Sequence, residues 1–162
     1  MKILVLSDSH GTLYYAKKAI SNNPEVDVVI HLGDFLRDAK KLKAIFPGKI
    51  FEMIPGNSDF ATDDNPAEKI LEYEGKRILI THGHKYLMKA DFKKLCIRAI
   101  ESKIDLILFG HTHVAEIIEF GKFILVNPGS ISFPRTSASK SYSLIDIIDD
   151  KISAKMMFLD KI

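Results

Sequence analysis

Five short apolar runs that each end in a loop of Gly, Asp, His or Asn constrain this chain more than any other feature. Residues 3–6 lead into Ser7-Asp8-Ser9-His10-Gly11, and residues 28–32 into Gly33-Asp34. Residues 51–54 lead into Pro55-Gly56-Asn57-Ser58-Asp59, 77–80 into Thr81-His82-Gly83-His84, and 106–109 into Gly110-His111-Thr112-His113. Unbroken, β-branched apolar runs of this kind read as strands buried on both faces, here over 3–6, 26–32, 49–54, 77–80 and 105–109. Between them the apolar residues switch to helical spacing. Phe35, Leu36, Ala39, Leu42, Ile45 and Phe46 form one such set, and Phe92, Leu95, Cys96, Ala99 and Ile100 another. Strands alternating with helices imply βαβ units and a mainly parallel sheet. Three hairpins follow a different rhythm: 69–74 turns at Gly75 into 76–80, 114–120 turns at Gly121 into 122–126, and 141–148 turns at Asp149-Asp150 into 152–159. A parallel half with an antiparallel tail predicts an α/β layered fold, two sheets face to face with helices outside.

The 162 residues fit one domain over 1–162, without an evident linker or repeat. Hydrophobic residues at 46% and charged residues at 27% exclude a disordered chain. Lys plus Arg at 23 against Asp plus Glu at 21 leaves +2, which argues against a dedicated nucleic-acid or polybasic membrane surface. The single cysteine excludes an internal disulfide framework and a thiolate zinc cluster. Cys96 lies on an apolar helical stripe and is expected to be a buried small hydrophobe. The opening apolar run is shorter than the ~7–15 residues of a signal-peptide core. No later segment approaches the ~20 apolar residues of a membrane span. The expectation is a soluble, cytoplasmic protein.

In α/β sheets, ligands bind beyond the carboxyl ends of the strands. Five strands delivering Asp, His and Asn to one edge would make a cluster of oxygen and imidazole ligands. Asp8-x-His10 and His111-x-His113 each place two ligands two residues apart, and the two oxygens of a carboxylate such as Asp34 can bridge two cations. Two metals about 3.5–4 Å apart activate water and stabilise an in-line displacement at phosphorus. Two divalent ions with two aspartates and a hydroxide keep a net positive charge, which attracts an anionic phosphoester.

The ordered set Asp8-Ser9-His10, Gly33-Asp34, Gly56-Asn57-Ser58-Asp59, Thr81-His82-Gly83-His84, Gly110-His111-Thr112-His113 and Asn127-Pro128-Gly129-Ser130 resembles the calcineurin-like metallophosphoesterase superfamily, specifically its small bacterial and archaeal phosphodiesterase branch. The resemblance spans most of the chain and implies a four-layer αββα sandwich of two mixed β-sheets flanked by helices. It also implies a metal-dependent phosphodiesterase whose nucleophile is a hydroxide bridging two divalent metals. By that pattern Asp8, His10, Asp34 and His113 hold one metal, and Asp34, Asn57, His82 and His111 hold the other. Asp34, Asn57, His82 and His111 are thereby assigned to catalysis as well. Mn²⁺ is the first expectation, with Ni²⁺, Co²⁺, Fe²⁺ or Zn²⁺ also suited to such N and O ligands. Many family members carry a His after the motif Asn, where it assists the leaving group. Here that position is Ser58, which points to a diester rather than a monoester substrate.

Other residues have plainer expectations. His31 falls inside a strand and reads as a buried or supporting histidine, and His84 as a supporting or substrate-facing group. Segment 127–135 reads as a loop beside the site, with Arg135 at the surface. One of Tyr14 and Tyr15 packs in the core while the other is exposed, and Lys40, Lys41 and Lys43 lie on a solvated face. The competing function is a non-catalytic protein-binding scaffold on the same fold, like the retromer subunit that resembles this family. The competent residue types at all seven ligand positions favour an enzyme acting on a small phosphoester. A nuclease is disfavoured by the near-neutral charge and the short chain. An antiparallel edge strand near the C-terminus leaves room for a homodimer.

Overall fold

The computed structural model describes residues 1–60, 64–86, 93–135 and 139–159. The chain runs β1 (Lys2–Leu6), α1 (Leu13–Ser21), β2 (Val28–His31), α2 (Leu36–Ile45) and β3 (Ile50–Met53). It continues through β4 (Glu68–Tyr73), β5 (Lys76–Thr81), a 3-10 turn at His84–Tyr86, α3 (Lys93–Glu101) and β6 (Leu106–Phe109). The hairpins β7 (Ala115–Phe120) with β8 (Phe123–Pro128) and β9 (Ser141–Ile148) with β10 (Lys151–Phe158) complete it.

The strands form two five-stranded sheets, ordered β10-β9-β1-β2-β3 and β4-β5-β6-β8-β7. Both are mixed. Strands β1, β2 and β3 are mutually parallel, and β9 joins β1 antiparallel with Ile3 opposite Ile145. The second sheet has β5, β6 and β8 parallel between the antiparallel edges β4 and β7. The C-terminal hairpin therefore extends the first sheet rather than forming an antiparallel half of its own.

Alternation along the strands explains the layering. In β1, Ile3 and Val5 point into an inter-sheet core with Val28, Ile30, Ile78, Ile80, Leu106 and Leu108, while Leu4 and Leu6 point the other way. There they meet Ala16, Ala19 and Ile20 of α1 and Ala39 and Leu42 of α2. On the far side Leu79, Ile107 and Phe109 pack against Leu95, Cys96 and Ala99 of α3. Three apolar seams thus join four layers, an αββα sandwich. Side chains such as Ile30 and Leu108 are fully buried. Truncating one to Ala costs about 2–5 kcal/mol through lost burial and the cavity left behind.

The expected strands and hairpins form with shifts of a few residues at their ends. The named periodic sets omit α1, whose apolar positions are interrupted by Tyr14, Lys17 and Lys18. Phe35, counted on the stripe of α2, is instead its N-cap residue with φ 74°. Ile45 and Ile100 belong to their stripes by spacing but are 45% and 71% exposed at the C-terminal ends of their helices. Tyr14 is exposed and Tyr15 packs against the core, while Lys40, Lys41 and Lys43 are exposed. Strand β10 is an edge strand carrying Lys151 and Lys155. No described helix is long and apolar enough to cross a membrane.

Candidate metal centre

The loops after β1, β2, β3, β5 and β6 converge at one rim of the sandwich, where the two sheets meet. Their approach is close. A Cβ on Gly33 would lie 2.5 Å from the Gly56 backbone nitrogen, and Gly33 has φ +98°, so glycine is required twice over. Across the same joint the Asp8 N–H donates to the Gly33 carbonyl at 3.1 Å.

The backbone here is strained where the chemistry falls. Asp8, His10, Asp34, His111 and His113 all have positive φ, between 45° and 69°. Each such L-residue costs about 1–2 kcal/mol. Residues outside the easy backbone regions cluster at functional sites, where surrounding structure enforces them. Five of the seven sequence-predicted ligands share this conformation, which turns their side chains out of the strand direction and toward one another.

Asp8, His10, Asp34 and His113 offer ligand atoms that all lie within 4.8 Å of one another. His113 Nε2 is 3.3 Å from Asp8 Oδ1 and 3.3 Å from His10 Nε2, and His10 Nε2 is 3.6 Å from Asp34 Oδ2. The remaining three residues adjoin them through Asp34. His82 Nε2 is 3.5 Å from Asp34 Oδ1 and 3.1 Å from Asn57 Oδ1, and His111 Nδ1 is 2.8 Å from the same Asn57 oxygen. All seven residues therefore form one contiguous patch.

Their protonation pattern fits a cation. His82 Nδ1 is 2.7 Å from the Leu32 carbonyl and His113 Nδ1 is 2.6 Å from the Phe133 carbonyl. A carbonyl only accepts, so each neutral ring carries its proton on Nδ1 and turns a bare Nε2 lone pair inward. Those lone pairs face carboxylate or amide oxygens, which are also acceptors. Asp8 Oδ1 is buried and accepts no hydrogen bond. Acceptors facing acceptors in a buried site call for a positive charge between them, either protons or metal ions. The electrostatics agree. Burial opposes the charge of Asp8, yet the facing His113 imidazole, with help from His82 and Ser7, holds its carboxyl below the ordinary value. Asp8 in turn raises His113 against the effect of burial.

Buried side chains brace this arrangement, among them His31, expected to be a supporting histidine, and others to which the sequence pattern assigned no role. The Gly33 N–H donates to His31 Nδ1 at 3.3 Å, which leaves the His31 proton on Nε2, 3.0 Å from Ser9 Oγ. Ser9 Oγ donates to Asp38 Oδ2 at 2.8 Å, and the Gly11 N–H donates to the same oxygen at 2.7 Å. Asp38, in the first turn of α2, thus grips the loop on both sides of His10. Ser130 and Ser132 hydroxyls each donate to the Asp8 carbonyl at 2.8 Å. Asn127 lies in β8 rather than in a loop, and its amide donates to the Gly110 carbonyl and Thr112 Oγ1, fixing the loop that carries His111 and His113. Sequence hints existed for Ser9, Asn127 and Ser130, which fall in the loop motifs, and for Asp38, a carboxylate on the otherwise apolar side of its helix.

His31 is fully buried, as its place in a strand implied, and burial pushes its imidazole down to about 4. His84 is not within the cluster. Its ring centroid is 5.5 Å from that of His82 and 6.2 Å from that of His111. It lines a cleft of about 330 Å³ with Asn57, Asp59, Phe60 and Lys85. Ser58 donates its backbone N–H to Asp34 Oδ1 at 3.0 Å, and Arg135 is exposed. Cys96 is buried under α3, away from the site.

Comparison with known proteins matches this architecture. The family model for the calcineurin-like phosphoesterase superfamily domain covers residues 1–150, and the chain belongs to that superfamily. A probable metallophosphoesterase of Bacillus subtilis, YsnB, is 35% identical across 99% of this chain and 92% of its own length. The phosphodiesterase MJ0936 of Methanocaldococcus jannaschii is 28% identical across 80% of this chain and 83% of its own. Among solved structures, a predicted phosphoesterase from Streptococcus pneumoniae superposes with TM-score 0.81 at 30% identity, covering 97% of this chain and 88% of that one. Vps29 of Entamoeba histolytica, solved with Zn²⁺, shares the fold with TM-score 0.75 at 20% identity over 98% and 99% of the two chains.

Proposed function

We propose that this chain is a metal-dependent phosphodiesterase acting on a small phosphoester in the cytoplasm, with two divalent ions, Mn²⁺ first among them. The observation that carries this reading is the buried set of inward lone pairs on Asp8, Asp34, His82 and His113, which suits metal ions better than protons because the proton-bearing nitrogens already face backbone carbonyls. When bound there, the ions would activate water and neutralise charge on the phosphoryl group. The protein's part is positional. Asp34 lies between the two groups of ligands and is assigned to both. Asn57 and His111 hold each other at the exposed side, where substrate arrives. Ser58 offers no imidazole for protonating a poor leaving group, which favours an activated diester over a monoester.

The surroundings support a diester. The Gly56–Asn57–Ser58–Asp59 loop separates two clefts of about 330 Å³, one toward Phe35 and Arg37 and one toward His84 and Lys85. A diester carries two substituents on its phosphorus, and the two clefts leave room for both. The relative named as a phosphodiesterase points the same way. The protein-scaffold alternative draws support from the shared fold of Vps29. Intact ligand types at all seven positions and their convergence favour the enzyme.

The test is hydrolysis of bis-p-nitrophenyl phosphate against p-nitrophenyl phosphate with added Mn²⁺. The diester should be cleaved faster. A clear monoester preference would refute the reading of Ser58, and no hydrolysis of either with any of the five metals would favour the scaffold.

A further inference from the structure

We propose that the cleft lined by Phe35, Arg37, Ser58 and Asp59 is an anion site beside the metal centre, which takes a second phosphate of the substrate, one other than the phosphate being hydrolysed. This rests on the phosphoesterase reading and narrows its substrate class.

The cleft shares two walls with the centre. The Phe35 ring meets the His10 imidazole edge-on with centroids 5.4 Å apart, and Ser58 is tied by its backbone N–H to Asp34. The cleft therefore opens beside His10 and Asp34. Arg37 and Asp59 bring opposite charges to the cleft but are engaged differently. Asp59 is already committed, with Oδ1 accepting from the Leu36 N–H at 2.9 Å and Oδ2 from the Gly56 N–H at 3.1 Å. Among the described residues no carboxylate pairs with Arg37. Its guanidinium lies over the Phe35 ring, 4.7 Å from the centroid, which orients the plane and leaves the N–H edge for a ligand.

Phe35 itself is the second observation. It has φ 74°, a conformation that a bulky L-residue adopts only at a cost of about 1–2 kcal/mol. The next residue begins α2, and Gly or Asn would cap it without that strain. The strain is explained if the ring must stand between His10 and Arg37. A planar N–H fork held at the margin of an anion-binding centre matches a phosphate in two parallel hydrogen bonds. A simple monoanionic diester has no group for it, whereas a nucleoside diphosphate or a pyrophosphate-linked diester does.

The experiment compares α,β-methylene ADP with AMP as ligands of the Mn²⁺-supplemented protein, with metal in excess, by titration calorimetry. The wild-type chain should bind the diphosphate on the order of tenfold more tightly. Arg37→Ala should abolish that preference with AMP affinity retained, and Arg37→Lys should keep part of it. A wild-type chain without the preference, or a preference that persists in Arg37→Ala, as chelation of the metal alone would produce, overturns the proposal. Turnover of bis-p-nitrophenyl phosphate separates the two readings. A chain that cleaves the diester without preferring the diphosphate loses this site and keeps the phosphodiesterase assignment, and the reverse result keeps the site and loses the assignment.

Discussion

Asp8, His10 and His113 are fastened from behind by buried side chains, whereas Asn57 and His111 hold each other at the surface. The first group has the serine hydroxyls of Ser130 and Ser132 on the Asp8 carbonyl and Asp38 gripping both flanks of His10. It also contains two carboxylates, Asp8 and Asp34. The second group shares Asp34 but otherwise has only neutral donors, and Asn57 is exposed. Charge and rigidity therefore fall on the same side, and the two halves should hold metal unequally. A firmly held ion beside a loosely held one would give the proposed centre an anchored half and an adaptable half.

Breaking the residue common to both halves should have the largest effect. Asp34→Asn is expected to lower Mn²⁺-supported diester hydrolysis by on the order of 10²–10³. Asn57→Ala should cost less, because only the second half depends on it. Steady-state rates for the two variants at saturating metal check the order.

The next effect concerns the bracing behind the first half. His31 is held by burial at about 4, below its ordinary 6.5, so it stays neutral when folded and takes a proton on unfolding at lower pH. Its contribution to stability is complete above about pH 6.5 and is lost as pH falls toward 4, by about 3 kcal/mol in all. Urea denaturation of metal-free protein across that range should show the decline, and His31→Gln should flatten it.

A smaller effect sharpens the comparison. Asp38→Asn keeps the shape but weakens the grip on Ser9 and Gly11, and should reduce affinity for the tighter of two Mn²⁺ binding events by about 10–100-fold. The weaker event should move little, as calorimetry would reveal. Smallest is the order of metal loss. Under graded chelation, the half built on Asn57 and His111 should empty first, so activity should fall ahead of total metal content measured on the same samples.

Much of this was legible in the sequence because two of its signals are local. An unbroken apolar run is set by adjacent residues, and the loop residues follow directly on the runs that position them. The hairpins, α2 and α3 were found from such local patterns, and the resemblance carried by the loop motifs named the seven residues. The first helix escaped because Tyr14, Lys17 and Lys18 interrupt a stripe whose buried members are two alanines and an isoleucine. The bracing roles of Ser9, Asp38, Asn127, Ser130 and Ser132 escaped for another reason, although three of these residues lie in the loop motifs. Each is an ordinary polar residue until the fold brings a specific backbone atom against it. Phe35 misled because its spacing is helical while its backbone is left-handed.

The linear order of residues was enough to say that Asp, His and Asn side chains would gather at one rim, since each follows a strand whose apolar character forces it into a sheet. Only the folded chain decided that β9 would lie beside β1, that β8 would come between β6 and β7, and that Asp34 would stand between two groups of ligands. Those outcomes depend on contacts between residues far apart in the chain, some more than a hundred positions, as between Asp8 and His113. Their free energy comes from burying three apolar seams at once, and no segment carries that information alone.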